Sequence, residues 1–202
     1  MNPLLNLARA IDRLNERVGN LVYWLLLGSV LISGANAVVR KALNMSSNAA
    51  LEIQWYLFAA VFLLGAGYTL LHDAHVRIDV LSSRLSRRAQ VWVDVIGLIV
   101  FLMPLCVAIV WLSWPTVATA WTSGEMSSNS GGLIRWPAYA LLPLGFALLL
   151  LQGVSELIKR VAFLSGHGPD PHPKGLEKTD EERLLEDIRA QRELATDTGA
   201  TR

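Results

Sequence analysis

Residues 95–124 read VIGLIVFLMPLCVAIVWLSWPTVATAWTSG, 30 positions without an Asp, Glu, Lys, Arg or His. About 20 apolar residues in a helix cover a hydrocarbon core of roughly 30 Å. The run exceeds one simple span. Its proline pattern predicts a helix from about Val91 to Trp114 with a midway kink at Pro104 and a stop at Pro115, where the missing N–H removes a helical hydrogen bond. An outer segment then continues through Trp121. Three further stretches free of ionisable side chains occupy 18–39, 53–71 and 136–155, with lengths of 22, 19 and 20 residues. The expected architecture is an all-α integral membrane protein with spans at about 18–39, 53–71, 91–114 and 136–158.

Composition agrees. Of 202 residues, 52% are hydrophobic and 17% charged, against about 25% charged in soluble domains, and the mean hydropathy is +0.38. With 18 Lys and Arg against 17 Asp and Glu, no strong basic excess supports nucleic-acid binding. The single cysteine, Cys106, excludes a disulfide framework and a cysteine-based zinc site.

The basic residues are segregated. Arg9, Arg13 and Arg17 precede the first span, Arg77, Arg84, Arg87 and Arg88 lie between the second and third, and eight follow the fourth, giving 15 on one side. Arg40, Lys41 and Arg135 make only 3 on the other. Positive residues are retained in the cytoplasm, so both termini are predicted to lie inside. Tyr23, Trp24, Trp55, Tyr56, Trp92, Trp111, Trp136 and Tyr139 fall near predicted span ends, as interfacial aromatics do. Ala35-Asn36-Ala37 has the form of a signal cleavage site, but the 22-residue apolar run is longer than a signal core and Arg40-Lys41 follow directly.

Three segments organise the chain. Residues 1–17 carry Leu4, Leu7, Ala8, Ile11 and Leu14 at helical spacing behind Asn2-Pro3, which predicts an amphipathic interfacial helix on membrane lipids. Residues 18–160 form the four-helix membrane domain. Residues 161–202 form a cytoplasmic linker and a flexible or short-helical tail, with a capping-box pair at Thr179 and Glu182. In the inner loop, Asp79 and Ser86 are candidate caps for interfacial helices, and the arginines reach toward lipid phosphates.

Ionisable side chains at mid-bilayer cost roughly 2.5–3.5 kcal/mol on insertion scales and mark ion, proton or substrate sites. The four charge-free stretches hold none, and Glu52, Asp94, Glu125 and Glu156 lie at or beyond the span ends, where water and headgroups solvate them. Glu156 and Arg160 have the i, i+4 spacing of an ion pair. Helix packing is expected at Ser29, Ser33 and Ala37 on the first span, at Gly65 and Gly67 on the second, and through the polar Gln152 on the fourth. His72, Asp73, His75 and Asp79 make no recognised metal motif, no histidine lies within a span to ligate haem, and no G-x-S-x-G nucleophile motif occurs. The reading is a non-enzyme with no catalytic, metal or substrate residues of its own and no cofactor.

Several motifs carry a family resemblance: Glu52-x-x-Trp55-Tyr56, Gly65-Ala66-Gly67-Tyr68, and Asp73-x-His75-x-Arg77-x-Asp79-Val80-Leu81. In the second half they are Trp121 to Glu125, Asn129-Ser130-Gly131-Gly132, Trp136-Pro137, Pro143-x-Gly145-Phe146 and Gln152-Gly153-x-Ser155-Glu156. Together they resemble the small membrane (permease) subunit of tripartite ATP-independent periplasmic (TRAP) transporters over about residues 15–160. The outer loop and last span are similar to the branch named for mannitol and chloroaromatic compounds. The resemblance implies a bacterial inner-membrane importer in which a periplasmic substrate-binding protein delivers a small organic anion. A large multi-span membrane subunit would use the sodium gradient and move as an elevator, while the small subunit braces its stationary scaffold. Asp73, His75, Arg77, Asp79, Arg84, Arg87 and Arg88 become inner-interface candidates. Glu52, Trp55, Glu125, Asn129, Gly131, Gly132 and Trp136 become outer-face or partner-contact candidates. Two other readings remain: a small membrane redox or metal protein using His72 and His75, and a homo-oligomeric channel or exporter.

Overall fold

Four helices in the computed structural model are long and apolar enough to cross a membrane: Pro3–Leu43, Asn48–Leu71, Arg87–Ser123 and Trp136–Leu164. The structure describes residues 3–43, 47–72 and 86–166. We designate Pro3–Leu43 α1, Asn48–Leu71 α2, Arg87–Gly97 α3, Met103–Ser123 α4 and Trp136–Leu164 α5. A π-helical turn, Leu98–Leu102, joins α3 to α4 without a break. Among the described residues there is no strand, only an isolated antiparallel bridge between Met126 and Ile134.

Local chemistry accounts for the boundaries. Pro3 opens α1, a position where its missing N–H costs nothing. From there α1 runs through residue 17 into the predicted span as one 41-residue helix. The Ser47 hydroxyl accepts the Ala50 N–H at 3.4 Å and caps α2. Ser86 occupies the N-cap position of α3 with extended backbone, but its hydroxyl makes no capping bond.

The longest run carries a π-helical turn just before Pro104 and does not stop at Pro115. Ahead of Pro104 the ladder widens, and the Met103 N–H reaches Leu98 O in a π-type bond, which makes room where proline cannot donate. Pro115, the expected stop, lies inside α4. Proline removes one helical bond, whereas leaving the helix would strip several backbone groups of partners in lipid. Two residues earlier, the Ser113 hydroxyl donates to Ile109 O at 2.6 Å. The helix ends instead at Gly124, whose φ of 63° is the left-handed conformation that glycine adopts freely.

Helix α5 is central and packs against α1, α2, the π turn, α3 and α4, while α1 also packs along α2. Small residues permit the closest approaches. A Cβ on Gly145 would lie 2.6 Å from Leu63 O of α2. One on Gly67 would lie 2.2 Å from Asn15 Oδ1 of α1 and 3.3 Å from Leu148 O of α5. The α1–α2–α5 junction therefore closes around Gly67.

Candidate functional site

Polar side chains gather at the two ends of α5. Near its carboxyl end, helical spacing on α1 turns Ala8, Ile11, Asp12, Asn15 and Gly19 toward one side, and all but the half-buried Asp12 are buried. Asn15 and Gln152 are fully buried, and Asn15 Nδ2 donates to Gln152 Oε1 at 2.9 Å. Gln152 Nε2 in turn donates to Asp12 Oδ1 at 2.9 Å and to Glu156 Oε1 at 3.2 Å. The Ser155 hydroxyl donates to the same Asp12 oxygen at 2.6 Å and contacts Ala8 O at 3.2 Å.

Tethered cations complete this cluster. Lys159 Nζ lies 3.3 Å from Asp12 Oδ2 and also pairs with Glu156. The expected Glu156–Arg160 pair forms, and Arg160 Nε reaches Asp94 Oδ2 of α3 at 3.3 Å. Glu156 and Arg160 are only 7% and 3% exposed, so each charge depends on the other for solvation. Lys159 and Arg160 thus neutralise the carboxylates of Asp12, Glu156 and Asp94 from within the chain.

Among the described residues, Asn15 Oδ1 is the one buried side-chain polar atom without a hydrogen-bond partner. It faces the bare Cα of Gly67, an arrangement suited to a weak C–H···O contact. On the adjoining side of α1, Glu16 Oε2 lies 2.8 Å from His72 Nε2. The His72 ring stands 4.3 Å from Tyr68.

At the other end, Glu52 in the first turns of α2 is 5% exposed and organises the α4–α5 connection. Its carboxylate accepts from Asn129 Nδ2 at 2.8 Å, from the Leu133 backbone N–H at 2.7 Å, and from the Ser127 hydroxyl. The connection folds back as a narrow hairpin, with Ser127 N–H donating to Leu133 O at 2.8 Å and Arg135 N–H to Glu125 O at 2.9 Å. Gly131 at φ 72° makes the turn, and a Cβ on Gly132 would strike Ser127. Asn48 and Tyr56 of α2 donate to Ser130 O and Ile134 O at 3.0 and 3.2 Å. Arg135 donates to the Tyr139 hydroxyl at 3.1 Å and lies 3.5 Å from Glu125. The Tyr139 hydroxyl, with Glu125 beyond it, raises the Arg135 guanidinium above its ordinary range. Trp136 meets Trp121 edge-on at 4.5 Å.

The structure thus brings together Glu52, Asn129, Gly131 and Gly132, with Glu125 and Trp136 beside them, while Trp55 stands 68% exposed on α2. Of the packing candidates, Ser29, Gly67 and Gln152 are buried, Ser33 and Gly65 half-buried, and Ala37 exposed. Arg87 and Arg88 start α3. Asp73, His75, Arg77, Asp79 and Arg84 lie outside the described residues, as does the tail beyond residue 166. Sequence reasoning missed Asp12, Asn15 and Lys159, and quoted Ser155 only as part of a family motif. The row of small and polar residues at 8, 12, 15 and 19 was the available signal, since a purely lipid-facing strip would be apolar.

Residues 29–163 match the family described as tripartite ATP-independent periplasmic transporters, DctQ component. The chain belongs to the DctQ family. The match covers about two thirds of the sequence and includes both α5 and the Glu52 hairpin. DctQ proteins are small membrane subunits of TRAP transporters, so this is a multi-pass inner-membrane protein and one component of a three-part system. It comes from a family of transporter components and not of enzymes. No individually curated protein matches the chain.

Proposed function

We propose that this DctQ chain braces the stationary scaffold of a large, sodium-coupled elevator subunit during uptake of a small organic anion delivered by a periplasmic binding protein. Its termini lie in the cytoplasm and its Glu52 hairpin in the periplasm, as the distribution of basic residues favours. Residues 3–17 of α1 lie at the inner membrane surface. Membership of the TRAP family supports a small organic anion, often a carboxylate, as the substrate.

One observation carries the bracing role. Asp12, Glu156 and Asp94 are each paired with Lys159 or Arg160, so the cluster behaves as a lock between α1, α3 and α5. A rigid slab suits a support against which another domain slides. The hairpin held by Glu52 offers Asn129 and the exposed Met126 as a contact for the docked binding protein.

Co-purification tests the assembly. The large subunit expressed with an affinity tag should retain this chain through detergent extraction, in fixed ratio. Separate elution of the two under conditions that keep both folded would overturn the proposal. Binding-protein docking to the assembled transporter should weaken with Glu125→Ala and Asn129→Ala together, and unaltered docking would remove the outer contact.

A further inference from the structure

We propose that the first five turns of α1 form a docking strip for anionic phospholipid headgroups. The proposal rests on the reading above that this end of α1 lies at the inner membrane surface. At about 100° per residue, residues 4–21 divide into three strips. Ala8, Ile11, Asn15 and Gly19 are buried in the bundle. Leu4, Leu7, Leu14 and Leu21 form a second strip, between 43% and 56% exposed. Arg9, Arg13 and Arg17, at i, i+4 and i+8, form a third, exposed and roughly 100° further round.

The two acids among them are engaged elsewhere. Asp12 turns inward to Ser155, Gln152 and Lys159, and Glu16 pairs with His72. The arginines form their hydrogen bonds within α1. Arg9 Nε contacts Leu5 O at 3.4 Å, another Arg9 nitrogen meets the Asn6 side chain, and Arg13 Nε contacts Arg9 O at 3.2 Å. Among the described residues none of the three forms an ion pair, so most of their N–H donors stay available to phosphate oxygens, for which guanidinium geometry is well matched.

The leucine strip decides the occupant. A soluble acidic partner would use the arginines and leave Leu4, Leu7 and Leu14, which precede the first span, in water. A lipid surface takes both, because leucines enter the acyl boundary while arginines on the flank extend to the headgroups. The negative charge of the inner leaflet comes from anionic lipids, and each basic residue close to it strengthens binding about fivefold.

Native mass spectrometry of the delipidated full chain, titrated with phosphatidylglycerol or phosphatidylcholine of matched acyl chains, tests this. Phosphatidylglycerol should bind at lower concentration. The triple variant Arg9→Gln, Arg13→Gln, Arg17→Gln should lower that affinity more than tenfold and leave phosphatidylcholine unchanged, while the matching triple lysine variant keeps most of it. Arg40→Gln with Lys41→Gln, at the opposite end of α1, should have no effect. Equal binding of the two lipids, or full phosphatidylglycerol affinity in the triple glutamine variant, would overturn the proposal. Assembly with the large subunit is read separately: a chain that failed to assemble but lost phosphatidylglycerol on the triple substitution would overturn the subunit reading and uphold the lipid strip.

Discussion

Asn15 of α1 donates its amide to the Gln152 oxygen of α5 across 2.9 Å, with both side chains removed from solvent. The two residues are 137 positions apart. Through Gln152 the link continues to Asp12 and Glu156, so one α5 side chain joins two neighbouring polar residues of α1 to the Glu156 ion pairs. Interhelical polar contacts of this kind contribute about 0.6–2 kcal/mol each in membrane bundles.

Replacing Gln152 by Met keeps the volume and removes three hydrogen bonds. Thermal unfolding in detergent should show a loss of about 1–3 kcal/mol. In a double-mutant cycle with Asn15→Leu, a coupling energy of about 1 kcal/mol is expected. Additive effects would mean that the contact contributes nothing to stability.

Gly67→Ala should also destabilise the chain, by about 1–3 kcal/mol, because the new Cβ would stand 2.2 Å from Asn15 Oδ1. Combining it with Asn15→Ala removes the obstructing oxygen. The double variant should regain part of the melting temperature lost by Gly67→Ala alone, and a further drop would show that the strain arises elsewhere, at Leu148 O for instance.

Truncating one side of the buried Glu156–Arg160 pair is expected to cost more than truncating both. Arg160→Leu alone leaves Glu156 with a weaker set of donors and should lose about 3–5 kcal/mol. Adding Glu156→Leu removes the stranded charge. The double variant should therefore be the more stable of the two, a ranking that a simple count of contacts does not give.

Glu52→Gln retains one acceptor oxygen and Glu52→Ala retains none. Hydrogen exchange at the Leu133 amide should accelerate in both, more in the alanine variant, while amides in the middle of α5 keep their protection. Unchanged exchange at Leu133 would show that the hairpin holds itself through its own backbone bonds. Glu52 would then be only a helix-end charge.

Much of the fold was legible because apolar length alone locates membrane helices. Residues 95–124 announced a span without any tertiary information. What happens at Pro115 was not legible locally: one lost hydrogen bond is weighed against the many a lipid-exposed coil would lose, and the comparison favours the helix as far as Gly124. The hairpin residues Asn129, Gly131 and Gly132 and the acid Glu52 were each visible as unusual. Their joining depends on α2 and α5 packing side by side, which no short window of sequence contains. Asp12 and Asn15 were hidden for the same reason, set within a helix whose spacing reads first as interfacial.

Sodium-driven uptake into liposomes shows whether this chain braces the large subunit. The large subunit, its binding protein and substrate would be reconstituted with and without this chain, at equal large-subunit density and with an imposed inward sodium gradient. Bracing by this DctQ subunit predicts uptake only when the chain is present, with a strong loss when Arg160→Leu breaks the α1–α3–α5 lock. Full uptake by the large subunit alone would contradict it.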